Sequence, residues 1–178
     1  MKGIEIRQAT ADDFDKVRTL YKKVAEQTIG IARTGNEITE NYIRNFMTNA
    51  SVNGIELVIE HPENEGQLIG EIHCYKLIPG VFDHVLGELT IVVDPDFHGK
   101  GLGKILFLDL LEFIRNKRPD ILRVELVARE SNRKAIEFYK KLGFVEEGRM
   151  ENRIKSAGGG FEADIPMAWF NKNFERQN

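Results

Sequence analysis

Ile4–Ala9 alternates apolar and polar residues and predicts a first strand. Thr10 follows as a helix N-cap, with Asp13 three residues on in the capping-box position. Phe14, Val17, Leu20, Tyr21 and Val24 then recur at helical spacing. A more polar helix is predicted over Thr39–Asn49, with Tyr42, Ile43, Phe46 and Met47 on its apolar face. Thr28–Ile38, rich in Gly, Thr and Asn, reads as the loop between them. Three strands follow at Ile55–Glu60, Leu68–Leu77 and Leu86–Val93, and they read as an antiparallel meander. His61–Gly66 and the stretch around Pro79-Gly80 are the turns.

Beyond this the pattern changes. Asp94-Pro95 ends the third meander strand, since proline cannot continue a ladder. A glycine-rich turn, Gly99–Gly103, opens a helix running through Lys117. That helix carries Leu102, Ile105, Leu106, Leu110, Phe113 and Ile114, with Phe107 and Leu108 widening its apolar face. Arg118-Pro119-Asp120 stops it, and Leu122–Ala128 is the next strand. Strand, helix and strand here form a βαβ unit with parallel strands. A fourth helix is predicted over Arg133–Leu142, with Gly143 as its left-handed cap and Phe144 packing back. Val145–Glu151 and Asp164–Phe170 are the last strands, joined by Ala157–Gly160. The order βααβββαβαββ describes an α+β fold with a mixed sheet of about six to seven strands flanked by helices.

The chain has 178 residues, enough for one domain with a full core. Hydrophobic residues make up 42% and charged residues 30%, which excludes disorder and collagen-like repeats. Cys74 is the only cysteine, so neither a disulfide nor a cysteine zinc site is expected, and no metal is. The opening Met1–Arg7 lacks the apolar run of a signal peptide, and no stretch is apolar enough to span a membrane. A cytoplasmic location is expected. The net charge of −3 gives no basic excess for nucleic acid or an anionic membrane. It hides a division, however. His98–Lys141 holds 11 Lys and Arg against 6 Asp and Glu, so the remainder is strongly acidic.

The basic segment contains the most informative motif, His98-Gly99-Lys100-Gly101-Leu102-Gly103-Lys104. Glycines let the backbone reach conformations closed to other residues and approach a ligand. At a helix start, backbone N–H groups lack partners and the dipole is positive. Together these suit a phosphate or pyrophosphate. The spacing fits neither a Rossmann fingerprint nor a P-loop. A bare strand-to-helix turn remains the competing reading of the glycines alone.

A second block, Asn132 through Phe144, stands after the second parallel strand. With both blocks the chain resembles the GCN5-related N-acetyltransferase (GNAT) family. His98–Gly103 matches its acyl-CoA signature, except that His98 stands where Gln or Arg is usual. Asn132, Tyr139 and Leu142-Gly143-Phe144 match its following block. The resemblance covers nearly the whole chain, and the predicted element order is also the family's. It implies acetyl-CoA as co-substrate and a primary amine as acceptor.

The resemblance places the pyrophosphate on the N–H groups of Gly99, Lys100, Gly101, Leu102 and Gly103, with Lys104 adding charge. It lays the pantetheine arm along Ile91, Val92 and Val93 like an added strand. An N–H near Val93 is the candidate donor to the thioester carbonyl. Glu88 has the spacing of the proposed general base in the phosphinothricin or amino-acid acetyltransferase-like branch. Its competing reading is a solvent-facing glutamate. Tyr139 is the proposed acid for the leaving thiolate, against a packing role on its helix. Asn132 would bond the coenzyme or simply cap the helix, and Lys134 would meet phosphate or solvent. Glu71 and His73 are weaker candidates for acid–base work. Cys74 and Trp169 read as core.

Small amino-acid-like acceptors are favoured, with peptide N-termini, polyamines and a non-catalytic acyl-CoA module as alternatives. Thr28–Gly54, Leu77–Val85 and Arg153–Glu162 are expected to choose the acceptor. A homodimer is compatible with the sequence, pairing through an edge strand at Asp164–Phe170.

Overall fold

The predicted elements form in the predicted order, with one addition near the C-terminus. The computed structural model describes residues 4–27, 31–156 and 159–175. The chain divides into two units, 1–76 with 89–113, and 77–88 with 114–178.

The first unit contains β1 (Ile6–Gln8), α1 (Phe14–Gln27), α2 (Glu40–Asn53), β2 (Gly54–His61) and β3 (Asn64–Lys76). It also takes the C-terminal half of β4 (Val85–Val93) and most of α3 (Leu102–Lys117). β1 pairs antiparallel with β2, and β2 antiparallel with β3. The β2–β3 hairpin closes with His61 opposite Asn64, tighter than the predicted turn. Val17, Leu20, Tyr21 and Val24 on α1 are buried against Ile43, Phe46 and Met47 of α2 and against Val58, Leu68 and Val92 of the strands. Fully burying a side chain such as Leu20 contributes about 1.5–3 kcal/mol, so this stripe is what holds α1 to the sheet. On α3, Leu106, Phe107 and Leu110 are buried, but Leu108 is half exposed and does not widen the core face as expected.

The Thr10–Asp13 capping box forms, with the Thr10 backbone N–H donating to Asp13 Oδ2 at 2.9 Å. It caps a 3₁₀ turn, Ala11–Asp13, that leads into α1. Asp13 also takes a bidentate pair from Arg7, at 2.7 and 2.8 Å. Hydrogen bonds from Arg7 are the main reason that its carboxyl titrates at about 2, below the ordinary 3.8. A depressed carboxyl stabilises the fold above its unfolded pKa and loses that stabilisation as pH falls through the folded one. Asp13→Asn is therefore expected to flatten the loss of stability between about pH 4 and pH 2, by roughly 1–2 kcal/mol given the part-exposed Arg7. Urea melts at pH 4 and pH 2 on both proteins measure it; equal pH dependence would remove Asp13 from acid stability.

The second unit contains the N-terminal half of β4, the end of α3, β5 (Arg123–Arg129) and α4 (Arg133–Lys141). It closes with β6 (Val145–Glu146), β7 (Met150–Lys155) and β8 (Phe161–Phe170). β4 and β5 are parallel, as the βαβ pattern predicts, with Val85 opposite Arg123 and Leu86 opposite Val124. β5 pairs antiparallel with β8 through seven residue pairs.

Two expectations are corrected here. The single strand predicted at Val145–Glu151 is two strands, β6 and β7, both on β8, so the described residues form eight strands. Gly148 and the exposed run around it interrupt the ladder, and β7 carries a register shift with Asn152 at φ +53°. β8 is longer than predicted and is flanked by β5 on one side and β6 and β7 on the other. It is no edge strand, so pairing through it across a dimer is excluded. The predicted loop at 28–38 and the link at 157–160 lie partly outside the described residues, at 28–30 and 157–158.

Candidate active site

In the first unit the site residues cluster where β4 turns into α3. Asp94 ends the strand with its backbone N–H donating to the Ile69 carbonyl at 2.9 Å. Its side chain is 1% exposed and fully engaged. It accepts from Lys23 Nζ at 2.7 Å, Gln67 Nε2 at 3.2 Å and the Asp96 N–H at 3.0 Å. A buried carboxylate is tolerated only when paired in this way. Asp94 therefore fixes the entry to the glycine turn, a role sequence reasoning missed. The signal was present as an acidic residue immediately before Pro95.

His98 Nε2 lies 2.9 Å from the Val93 carbonyl oxygen and ties the turn back to the strand. The departure from Gln or Arg thus has a local purpose. Lys100 Nζ sits 4.2 Å from the centroid of Phe97. Gly99 and Gly101 have φ of +75° and +80°, the left-handed region. A Cβ at either would meet nothing within 4 Å, so conformation and not crowding requires glycine there. Gly103 differs. It is the second residue of α3, and a Cβ there would sit 3.7 Å from Ile91 and 3.9 Å from Val93. Gly99, Lys100, Gly101 and Lys104 are solvent-accessible, so an anion can reach the start of the helix.

In the second unit, Glu88 is exposed on β4 with φ +52°. A glutamate held there in the left-handed region costs on the order of 1 kcal/mol or more, a strain characteristic of functional sites. The β4–β5 register covers Val85 and Leu86, just before this distortion. Asn132 caps α4, its Oδ1 accepting from the Ala135 N–H at 3.2 Å. Lys134 is exposed in the first turn. Gly143 adopts φ +96°, and the Phe144 N–H donates to the Tyr139 carbonyl at 3.0 Å, closing the predicted cap. The Tyr139 ring is part-buried, 6.0 Å between centroids from the fully buried Phe144. Burial raises the Tyr139 phenol above its ordinary 10, so it stays protonated at neutral pH and can donate a proton.

Glu71 and His73 form a buried group with Tyr21. Tyr21 donates to Glu71 Oε2 at 2.6 Å, and His73 Nδ1 lies 2.9 Å from Glu71 Oε1. The His73 ring stacks on Phe46 at 4.0 Å. Both side chains are satisfied core groups. Cys74 and Trp169 are also buried, as expected.

A parallel βαβ unit with an accessible glycine turn at the helix start, followed by a capped helix bearing Tyr139, is the arrangement that the acyl-CoA transferase resemblance leads one to expect. The acetyltransferase (GNAT) family model matches residues 19–144, and the chain belongs to that family. An uncharacterised N-acetyltransferase of Methanocaldococcus jannaschii is 30% identical over 149 residues, covering 83% of this chain and 63% of the relative. The ribosomal-protein bS18-alanine N-acetyltransferase of Salmonella typhimurium is 37% identical over 84 residues, 46% of this chain and 55% of that protein. The chain thus spans less than two thirds of the length of either relative. A Salmonella typhimurium acetyltransferase structure, solved with its cofactor acetyl-CoA, superposes with a TM-score of 0.80 at 18% identity, covering 99% of both chains. That likeness establishes the fold.

Among the described residues no cluster of His, Cys, Asp and Glu could hold a metal ion. No described helix is long and apolar enough to cross a membrane.

Proposed function

We propose that the chain acts as a single acetyl-CoA-dependent N-acetyltransferase domain and transfers directly to a primary amine in a ternary complex. The pair of left-handed glycines opening α3 carries this reading, because it leaves helix-start N–H groups open to a pyrophosphate. Gly99–Gly103, with Lys100 and Lys104, would hold the diphosphate, His98 would shape the turn, and Ile91–Val93 would face the pantetheine arm. Asn132 and Lys134 would contact the coenzyme from α4.

An ammonium cannot attack, so a base must first remove a proton; Glu88 is the candidate, directly or through water. The amine nitrogen then forms the C–N bond, the C–S bond breaks with its electron pair on sulfur, and the second proton shed by the nitrogen restores the Tyr139 phenol. Tyr139 gives its proton to the departing thiolate. The acceptor we favour is a small amino-acid-like amine, in line with the Glu88 spacing. A peptide N-terminus is the second reading, supported by the likeness to the ribosomal-protein alanine enzyme. The location we propose for the reaction is the cytoplasm.

Mixing the protein with acetyl-CoA and a panel of amino acids, polyamines and peptide N-termini should release thiol with at least one amine. Stabilisation by CoA without release from any of them would leave only the binding-module reading. In the same assay Glu88→Gln is expected to lower kcat/KM at neutral pH about tenfold or more and to shift the limb that reports the base. An unchanged pH–rate profile would move the base elsewhere.

A further inference from the structure

The first unit buries several charged side chains, and nearly all are satisfied. Asp13 is held by Arg7, Asp94 by Lys23, and Glu71 by Tyr21 and His73. Glu56 on β2 is the exception. It is 7% exposed, and its Oε1 is buried with no hydrogen-bond partner. An unmet carboxyl in such a place is costly and calls for an explanation.

Glu56 lines a cavity of about 220 Å³ bounded by the start of α1, the C-terminal half of α2 and the beginning of β2. Phe14, Met47 and Val52 give it an apolar wall. Arg44 is its cationic member, exposed at the rim, lying over the Phe14 ring at 4.6 Å and making no ion pair among the described residues. One buried acid without a partner, one cation without an anion and an apolar wall between strands and helices complement a zwitterion. The cavity shares no residue with the glycine turn or with the Asn132–Phe144 block.

We propose that this cavity binds a small aliphatic α-amino acid, its ammonium on Glu56, its carboxylate on Arg44 and its side chain on Phe14, Met47 and Val52. The volume is on the scale of a leucine-sized ligand. The proposal is separate from the transferase reading and does not need it.

Proton linkage gives the site a signature. Burial above all, then the nearby charges of Glu71 and Asp13, raise the Glu56 carboxyl to about 9. The charged and titratable groups around it are Asp13 with its partner Arg7, Arg44 on α2, Tyr21 on α1, and Glu71 and His73 on β3, His73 being its cross-strand neighbour. In the empty protein at pH 7 the acid is therefore protonated. An incoming ammonium stabilises the carboxylate, so the Glu56 O–H breaks and the proton passes to buffer. Binding should release about one proton per ligand, and affinity should rise about tenfold per pH unit between pH 6 and 8.

Titration calorimetry with L-leucine, isoamylamine and isovalerate, at pH 7 in two buffers of different protonation enthalpy, tests this. L-leucine should bind with release of about one proton. Isoamylamine should bind more weakly with the same release, and isovalerate should release none. Glu56→Gln should abolish the proton release and weaken L-leucine at least about tenfold. Arg44→Gln should weaken L-leucine similarly and leave isoamylamine unaffected. An unchanged circular-dichroism spectrum and a single cooperative melt for each variant show that its fold is intact. No binding by any probe, leucine binding without proton release, or unchanged binding by Glu56→Gln overturns the proposal.

Discussion

Tyr139→Phe is expected to reduce turnover at least about a hundredfold while leaving acetyl-CoA affinity within about twofold. A hundredfold is about 2.7 kcal/mol of barrier, a reasonable share for one proton donor. The substitution is clean because the ring stays. Tyr139 packs its ring beside Phe138 and Phe144, at 5.6 and 6.0 Å between centroids, and phenylalanine fills that space. Only the hydroxyl is lost. Burial raises this phenol above 10, which keeps the proton in place across neutral pH. A departing thiolate, ordinarily basic enough to take a proton near pH 8.5, then has a donor poised within the protein. A merely packing tyrosine would show its loss in stability, with turnover unchanged. Steady-state thiol release and CoA-induced thermal shift, measured on both proteins, separate the two outcomes. Turnover equal to that of the parent protein would reduce Tyr139 to a packing residue.

Much of this was readable in the chain because local signals agreed with tertiary ones. The α1 stripe at positions 17, 20, 21 and 24 is buried as its period requires. Gly143 and Phe144 close α4 as a glycine followed by an apolar residue predicts. The signals fail where partners distant in sequence decide. Val145–Glu151 offered no sign that β8 would bind two separate short strands, since both pairings are made with residues far along the chain.

The candidate site was legible as residue types but not as strain or anchoring. Glu88 shows an ordinary glutamate in sequence and a left-handed one in structure. Asp94 looks like a turn residue until Lys23 and Gln67, from α1 and β3, arrive on its carboxylate. Glu56 stands between Ile55 and Leu57 on β2, where a charged residue suggests solvent. Its burial follows from α2 covering that face, which no local window of sequence records.

Gly101→Ala and Gly103→Ala are expected to act in opposite directions, although the two glycines stand two residues apart. Gly101 has φ +80°, and an L-residue there costs about 1–2 kcal/mol even with open space around its Cβ. The strain can be relieved only by rotating the turn, and that rotation moves the N–H groups that would meet the pyrophosphate. CoA affinity should therefore fall at least about tenfold, which corresponds to 1.4 kcal/mol. Gly103 lies inside α3, outside the left-handed region, and an added Cβ would make only ordinary contacts with Ile91 and Val93. Alanine there removes the entropic penalty of glycine in a helix, roughly 0.5–1 kcal/mol. The Gly103→Ala protein should melt a few degrees higher and keep its CoA affinity within about threefold. Melting curves with and without CoA on the two variants provide all four values. Loss of CoA binding in both would mean that the ligand needs the bare space at Gly103 and not only its backbone N–H. Unchanged affinity in Gly101→Ala would show that the pyrophosphate does not use this turn, and the coenzyme assignment would have to be rebuilt from α4.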